Sequence, residues 1–589
     1  MDRRTIWAIL LMMAIAVAPA IFMKKPVAPA ARGEAGKRAS GTVVSPDSSA
    51  AALGPSSRNK GSAGKSTPDS SKATASPPTR LPADTPGAEG ATDTVRVTSL
   101  LYTYGISTRG ARLIEARLPR YRSMAPGDSG RAAQILAEGS KLLGVTLVLG
   151  RDTIPLHDWP FTASAQSLAI SRPTPLRLRA TRDGIDLDLT YTFRPDDYRI
   201  DVAGHVTGVG PNGGLLLIGM GPSLSNTEAD SNENYRALAL VTKYNETERL
   251  DFGGLEPGEP KTVSGPLEWA AVKSKYFVTG VLALDSTSGG ISGVTASAIP
   301  RPDKSAPRAA IQLSLPLRPS GDFSYTVYAG PMEYDRLGRI GHGFDDVNPY
   351  GWPGFRTVIR PLAAGVRWLL VWMHEHLHLA YGLVLICFGV LVRLLLWPLN
   401  QKAMRANMQL QAVQPLMKEI QEKHKNDPQK VQQEMFKLYK EHGVNPLGGC
   451  WPMLLPMPVL FALFFVFQNT IELRGASFLW LPDLSRPDPL YIIPIVMGLS
   501  MYGLSKVGMM GMEPNPQMKL MLYVMPVMMT FLFLNFASGL NLYYAVSNIA
   551  SIPQQWLLAR ERQKRTAKAI VEVKTRAPES SAKRAKRKA

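Results

Sequence analysis

The sequence predicts a polytopic α-helical membrane protein with six transmembrane helices and an all-β sandwich domain on its outer face. Five apolar runs, the last long enough for two spans, predict the helices. Period-two alternation through residues 95–345 predicts the sandwich. The uneven placement of Lys and Arg between the runs predicts the sidedness.

Residues 1–23 read as an N-terminal anchor. Their apolar run, 6–23, is flanked by Asp2-Arg3-Arg4 and Lys24-Lys25, and about 18 apolar residues just span a bilayer. Ala16-Val17-Ala18 has the look of a signal-peptide cleavage site, but Pro19 would follow the cut, so the segment is read as retained. Further spans fall at about 379–399, 447–467, 490–510, 519–535 and 540–558. The final stretch is divided by Asn535-Phe536-Ala537-Ser538-Gly539, a turn signal.

Charge sets the orientation. Arg3 and Arg4 keep the N-terminus in the cytoplasm, so residues 24 to about 370 lie outside. The connection 400–446 carries eight basic residues against five acidic, and the tail from Arg560 carries twelve against three, so both lie inside. Both termini are then cytoplasmic. The whole chain has 67 Lys and Arg against 47 Asp and Glu, a net +20. That balance favours anionic partners: nucleic acid, ribosome or anionic lipid. Only two cysteines occur, Cys387 and Cys450, both in apolar runs, which excludes a disulfide scaffold, a Cys-based zinc site and an iron–sulfur cluster.

Between the spans, residues 24–94 are dominated by Ala, Ser, Gly, Pro and Thr, with no aromatic between Phe22 and Tyr102, and read as a disordered tether. Gly64-Lys65-Ser66 mimics a phosphate loop, but position 59 is Asn where the pattern needs Gly. Residues 355–375 form an amphipathic helix, with Val358, Leu362, Val366, Leu369 and Leu370 on one side and Arg356, Arg360 and Arg367 on the other. Such a helix is expected to lie flat at the outer interface. Residues 401–422 and 429–441 form a cytoplasmic helical hairpin, the second helix opened by Asp427-Pro428. Residues 559–589 are a basic tail.

Two constellations carry chemistry. His374-Glu375-His376-Leu377-His378 matches H-E-x-x-H, so an intramembrane zinc metalloprotease using His374, Glu375 and His378 is the alternative reading. It lacks a third ligand in a neighbouring span. Arg393 is the only charge in its span, about six residues from the inner end and so about 9 Å deep. It either snorkels to the cytoplasmic headgroups or faces a water-filled cavity within the bundle. Gln468 and Asn469 end the third span, and Asn541, Tyr543, Tyr544, Ser547 and Asn548 populate the sixth. These polar groups either line the same cavity or form a helix–helix interface. Methionines at 497, 501, 509, 510, 512, 518, 521, 525, 528 and 529 suit a surface accepting varied apolar partners.

Asn445-Pro446-Leu447-Gly448-Gly449-Cys450, Pro452, Pro456-Met457-Pro458 and Ile471-Glu472-Leu473-Arg474 resemble the YidC membrane protein insertases. So do Arg393 with Trp397-Pro398-Leu399, and the run Ser538-Gly539-Leu540-Asn541-Leu542-Tyr543-Tyr544-Ala545-Val546-Ser547-Asn548. Thr108-Arg109-Gly110-Ala111 and Tyr328-Ala329-Gly330-Pro331 are similar to the large periplasmic domain of the Gram-negative form. The resemblance implies a periplasmic β super-sandwich over 95–345 and a five-helix insertase core over 379–558. It implies insertion and folding of nascent inner-membrane proteins, alone or with the Sec translocon, with no enzyme chemistry, cofactor, metal or DNA partner. It maps a substrate groove open to cytoplasm and lipid onto Arg393, Tyr543 and Tyr544, which Gln468, Asn541 and Asn548 are expected to extend. The hairpin 400–446 is implied to receive substrate, and the tail to dock ribosomes.

Overall fold

A computed structural model of the chain describes residues 94–284, 290–300, 306–351, 355–424, 427–443, 457–511 and 516–585. The expected anchor 1–23 and nearly all of the tether 24–94 lie outside the described residues, as do 444–456 at the start of the expected 447–467 span.

Residues 94–331 build three sheets of five, nine and six strands. The alternation that marked them works through burial. In the strand Ile185–Phe193, Leu187, Leu189, Tyr191 and Phe193 are buried, while the residues between them stay partly exposed or open to solvent. This strand pairs antiparallel with Thr174–Arg182 on one side and Arg199–Val206 on the other. The latter pairs in turn with Asp322–Pro331. Two neighbours in the same sheet, Trp269–Lys273 and Phe277–Leu282, do not alternate, because every residue in them is buried. Residues 342–347 cover their second face. The Trp269 Nε1–H donates to His342 O at 3.0 Å, and Phe344 meets the Trp269 ring edge-on at 5.1 Å. A Cβ at Gly280 would come within 3.0 Å of Phe344, so the covering segment rests directly on the sheet.

The helices follow. Short α1 (Ser231–Ala237) and α2 (Tyr334–Ile340) belong to the sheet region. Asp230 caps α1 by accepting from the amides of Asn232 and Glu233. Then come α3 (Arg356–Leu377), α4 (Tyr381–Ala412), α5 (Gln414–Lys423), α6 (Pro428–Glu441), α7 (Met457–Asn469), α8 (Ile492–Gly508), α9 (Pro516–Phe533) and α10 (Ser538–Ala585). Among the described residues one stretch, Tyr381–Gln401, is long and apolar enough to cross a membrane, and Met457–Asn469, Ile492–Gly508 and Leu522–Phe533 are shorter apolar helices.

The sequence places one helix at 401–422, and the structure differs. Helix α4 continues through Pro398 to Ala412, and a separate α5 begins after Val413, with Pro415 in its first turn. Proline lacks the amide that a continuous helix would use there, and it suits a helix start. Helix α6 opens as its Asp427-Pro428 pair predicts, the Asp427 carboxylate accepting from the Lys430 amide at 3.0 Å.

The polar side of α3 is also different from expectation. Arg356, Arg360 and Arg367 pair with carboxylates of the segment that follows the sheets and of the turn after α7. Arg360 pairs with Asp345 and, at 3.3 Å, with Asp346, while Arg356 approaches Asp346 at 3.7 Å. Arg367 is buried between Asp335 and Glu472. The exposed face of α3 instead carries Val358, Trp368 and Trp372, the two indoles 6.4 Å apart and stacked. Acidic side chains at 335, 345, 346 and 472 explain the inversion, since a buried guanidinium requires a counter-charge.

Candidate functional site

The expected site residues are distributed along two seams of the helical part. The first joins α4 to α10. Phe388 and Tyr543 bring their rings to 5.7 Å, and Tyr543 meets Tyr544 edge-on at 5.6 Å. One residue after Phe388 the backbones approach closely: a Cβ at Gly389 would lie 3.2 Å from Val546 Cγ1 and 3.6 Å from Ser547 Oγ. One turn further, half-buried Arg393 has Tyr543 and Tyr544 within electrostatic range. Among the described residues no carboxylate pairs with it. One more turn along, Gln554 of α10 donates through Nε2 to Trp397 O at 3.0 Å, which ties the two helices together beyond the arginine.

The second seam joins α10 to α8 and α9. Asn548 is buried and donates to Ser500 Oγ at 3.1 Å; Ser500 donates on to Met497 O at 2.7 Å. Asn541, fully buried, donates to Phe533 O at 3.0 Å and so caps the end of α9. Its Oδ1 has no hydrogen-bond partner among the described residues. Tyr544 is linked to this seam too, since Phe533 meets its ring edge-on at 5.5 Å. The structure therefore brings Arg393, Tyr543 and Tyr544 together and places Asn541 and Asn548 on neighbouring turns of the same helix. Gln468 is exposed at the end of α7, apart from this cluster.

Both seams lie within an apolar exterior. Leu395 on α4 is 74% exposed, Leu499 on α8 65% and Phe531 on α9 68%. Side chains of this size stay uncovered in a body whose solvent is lipid.

The H-E-x-x-H motif does not form a metal site. Helix α3 ends at Leu377, and His378 takes the left-handed conformation that terminates it. The two histidines therefore do not share a helix face. His374 donates from Nδ1 to Leu379 O at 2.7 Å and stacks on Tyr381 at 4.0 Å, while His376 stacks on Trp372 at 5.2 Å. Among the described residues no group of three or more His, Cys, Asp or Glu side chains is disposed to hold a metal ion.

Sequence reasoning missed the most heavily bonded polar residues, which sit where the sheets meet the helices. Arg474, 3% exposed in its side chain, donates from Nε to both oxygens of Glu228 at 2.9 and 3.0 Å. Its Nη1 and Nη2 donate to Arg122 O and Thr227 O, each at 2.8 Å. Lys273 donates to Asn348 Oδ1 at 2.6 Å, and burial pulls its ammonium down to about 7. Asn348 donates to Asn469 O at 3.4 Å, and Asn469 donates back to Pro349 O at 3.0 Å. Burial pushes the Glu472 carboxyl upward against the pull of Arg367. The signal in the sequence was the Ile471-Glu472-Leu473-Arg474 run and the arginines of 356–367, read only as a family motif and as the polar side of a helix.

Comparison with known proteins accounts for both parts of the chain. A family profile described as the YidC periplasmic domain matches residues 94–364, and one described as 60Kd inner membrane protein matches 372–566. The membrane protein insertase YidC of Chlorobaculum tepidum is 30% identical over 537 residues, covering 85% of this chain and 88% of that protein. Its counterpart from Chloroherpeton thalassium is 34% identical over 404 residues, or 64% of this chain and 67% of that one. A solved structure described as an active YidC insertase with its first transmembrane domain resolved aligns with 80% of this chain and 93% of its own, at 17% identity and a TM-score of 0.33. Matched by both family profiles and 30% identical to the Chlorobaculum tepidum protein over 85% of its own length, this two-part chain of β sheets and apolar helices is a member of the YidC membrane protein insertase family of the inner membrane.

Proposed function

We propose that this chain inserts nascent inner-membrane proteins by lowering the barrier to a polar segment at the α4–α10 seam. The observation that carries the reading is Arg393: a guanidinium with no carboxylate partner among the described residues, beside two phenols, within an otherwise apolar exterior. A lone cation at membrane depth costs about 2.5–3.5 kcal/mol on insertion scales, and such residues mark the path of a polar substrate. Arg393 would attract an acidic residue or a backbone carbonyl of the incoming chain. The membrane potential then assists each negative charge moved outward by about 2.3 kcal/mol per 100 mV. The apolar part of the substrate leaves sideways past the exposed faces of α8 and α9. No nucleotide is needed.

In this reading the chain crosses the membrane six times, with both termini in the cytoplasm and the sheets in the periplasm. The groove is open to cytoplasm and lipid and is lined by Arg393, Tyr543 and Tyr544, with Asn541 and Asn548 on neighbouring turns of α10. The aromatic face of α3, with Trp368 and Trp372, rests among the outer headgroups, where indoles favour the interface. Helix α10 has 48 residues and runs about 72 Å, against a hydrocarbon core of about 30 Å. Its basic C-terminal part, from Arg560 onward, therefore projects into the cytoplasm, where it can approach a ribosome. The hairpin of α5 and α6 receives substrate, and the Sec translocon is a partner for larger clients.

Reconstituted vesicles with an imposed potential and a protease-protection readout test the mechanism. Arg393→Lys is expected to retain insertion of a substrate with an acidic outward tail, and Arg393→Ala to lose it. Equal insertion by wild type and Arg393→Ala would remove the arginine from the mechanism.

A further inference from the structure

Between α7 and α8, Phe478-Leu479-Trp480-Leu481 is a hairpin with a two-residue loop. Phe478 and Leu481 exchange both backbone hydrogen bonds at 2.9 Å, and Leu479 and Trp480 form the tip. The turn holds Leu479 at a φ of +53°. Tight hairpin loops that need this conformation ordinarily use Gly, Asn or Asp, because other side chains are strained there. Here the position carries a leucine, and that leucine is 74% exposed. In water both features are unfavourable, one for the backbone and the other for the side chain. The hairpin is braced against the ends of two apolar helices. On one flank Phe478 lies on the first turn of α4, where a Cβ at Gly382 would come within 2.1 Å of its ring. On the other, the Trp480 Nε1–H donates to Oδ1 of buried Asp488 at 3.1 Å, and Asp488 Oδ2 accepts from the Ile493 amide in the first turn of α8 at 2.7 Å. The single donor of the indole is thereby satisfied within the protein, so its exposed ring makes no demand on water. Leu490 and Tyr491, just before α8, are exposed as well, and Tyr491 has a φ of +56°. Among the described residues, Leu479 and Tyr491 are the two exposed large hydrophobic side chains on left-handed backbone, and residues 475–482 carry no charge.

We propose that Leu479, Trp480, Leu490 and Tyr491 form an interfacial foot that seats in the outer leaflet, at the boundary between headgroups and acyl chains, and sets the depth of α4 and α8. This rests on the reading that places the start of α4 at the outer face of the membrane. An apolar tip beside an indole and a phenol fits that boundary, where aromatic side chains with one polar end collect. The foot is continuous with the apolar span of α4, whose first turn it covers, so lipid that reaches the span reaches the foot. Lipid also resolves the anomaly at Leu479: strained backbone persists where something outside the turn compensates it, and burial of the exposed leucine among acyl chains does so. Because the hairpin is held on both flanks, the depth of its tip is passed to both helices.

The test uses the full chain, with Cys387→Ser and Cys450→Ser, in vesicles of phosphatidylcholine and phosphatidylglycerol. One environment-sensitive fluorophore is attached at Leu479→Cys, at Leu395→Cys in the exposed face of α4, or at Leu100→Cys in an exposed turn of the sheets. The label at 479 is expected to lose emission to lipids carrying a nitroxide near the headgroup, more than to lipids carrying it at the acyl terminus, and to be shielded from iodide in the buffer. The label at 395 should show the reverse preference for nitroxide depth, and the label at 100 should respond to iodide alone. Leu479→Asp should then shift the 395 label toward the shallower quencher. Leu479→Gly removes the side chain and relaxes the turn, so it should keep the unfolding midpoint in detergent and give the same shift, and it serves if Leu479→Asp does not fold. A label at 479 that behaves like the one at 100 would overturn the proposal. A label at 479 shielded from both quenchers would mean that protein covers the tip, and an unmoved 395 label in both variants would mean that the foot sets no depth; either result overturns it too. If the label at 395 were itself open to iodide, the membrane placement of α4 would fail, and this inference with it.

Discussion

Two buried or half-buried arginines, Arg393 and Arg474, meet opposite surroundings in one chain. Arg474 has a carboxylate, two carbonyls and an aromatic face around it. Arg393 has two tyrosines in electrostatic range and no carboxylate among the described residues. The first guanidinium is committed to the fold. The second has, among the described residues, no carboxylate committed to it, which is what the proposed role in binding substrate requires. Burying a charge is costly in both places, but among the described residues only Arg474 of the two is met by a carboxylate.

The contrast predicts a crossing of phenotypes, and it is the largest effect expected here. Arg474→Ala strands Glu228 in a buried site and should destabilise the sheet region by about 3–5 kcal/mol, the usual result of breaking one half of a buried pair. Arg393→Ala should leave the unfolding midpoint in detergent nearly unchanged while removing insertion of acidic-tailed substrates. If Arg393→Ala unfolds the chain as readily as Arg474→Ala does, the two arginines are the same kind of residue and the comparison fails.

The seam around Arg393 offers a second, smaller test. Leucine at Gly389 would thrust its side chain at Val546, whose Cγ1 already lies 3.2 Å from the position of a Cβ. Overpacking of this kind costs about 1–3 kcal/mol. It should also spread α4 from α10 one turn from the arginine, so the insertion defect should exceed what the stability loss explains. The corresponding insult within the sheet region, a larger residue at Gly280 against Phe344, should cost stability alone.

These contrasts also show what a sequence reveals. Period-two runs such as residues 185–193 were legible because one face of that strand is buried and the other is not. The double burial of 269–273 and 277–282 was not legible, since it depends on residues 342–347 folding back from a distance. Arg393 stood out because a lone charge in an apolar run needs no partner to be noticed. Arg367 was legible only as part of a helix's polar side and Arg474 only as part of a family motif, while Glu228 did not stand out at all, because a charge in a loop looks solvated until its partner, 246 positions away, is known. Likewise Gln554 escaped notice as a residue at the end of a span, although it bridges α10 to Trp397. The H-E-x-x-H spacing misled for a local reason: it assumes a helix through all five residues, and the chain turns left-handed at the fifth.

The comparison extends to pH. At the junction, Lys273 gives up its proton at about 7, well below the 10.5 of the free side chain. Between those values the unfolded chain binds the proton and the folded chain does not, so folding stability rises with pH across that window; below about 7 both forms are protonated and the penalty is constant. The slope approaches about 1.4 kcal/mol per pH unit in the middle of the window. Wild type should gain stability between pH 7 and 9 relative to Lys273→Met, in which the difference vanishes. Arg393→Lys is the membrane counterpart to set beside it.

The smallest effect belongs to the polar contacts inside the bundle. Asn548 donates to Ser500 Oγ at 3.1 Å between α10 and α8, and such interhelical bonds average about 0.6 kcal/mol in membranes. The reason is the reference state: in lipid, a freed polar group finds another partner within its own helix, as Ser500 already does with Met497 O. Asn548→Ala should therefore shift the unfolding midpoint only slightly, far less than Glu228→Gln at the junction, where the buried arginine loses its counter-charge. A loss at Asn548 as large as that at Glu228 would mean that α8 and α10 are held by this polar seam rather than by packing, and that the groove wall is built like the junction after all.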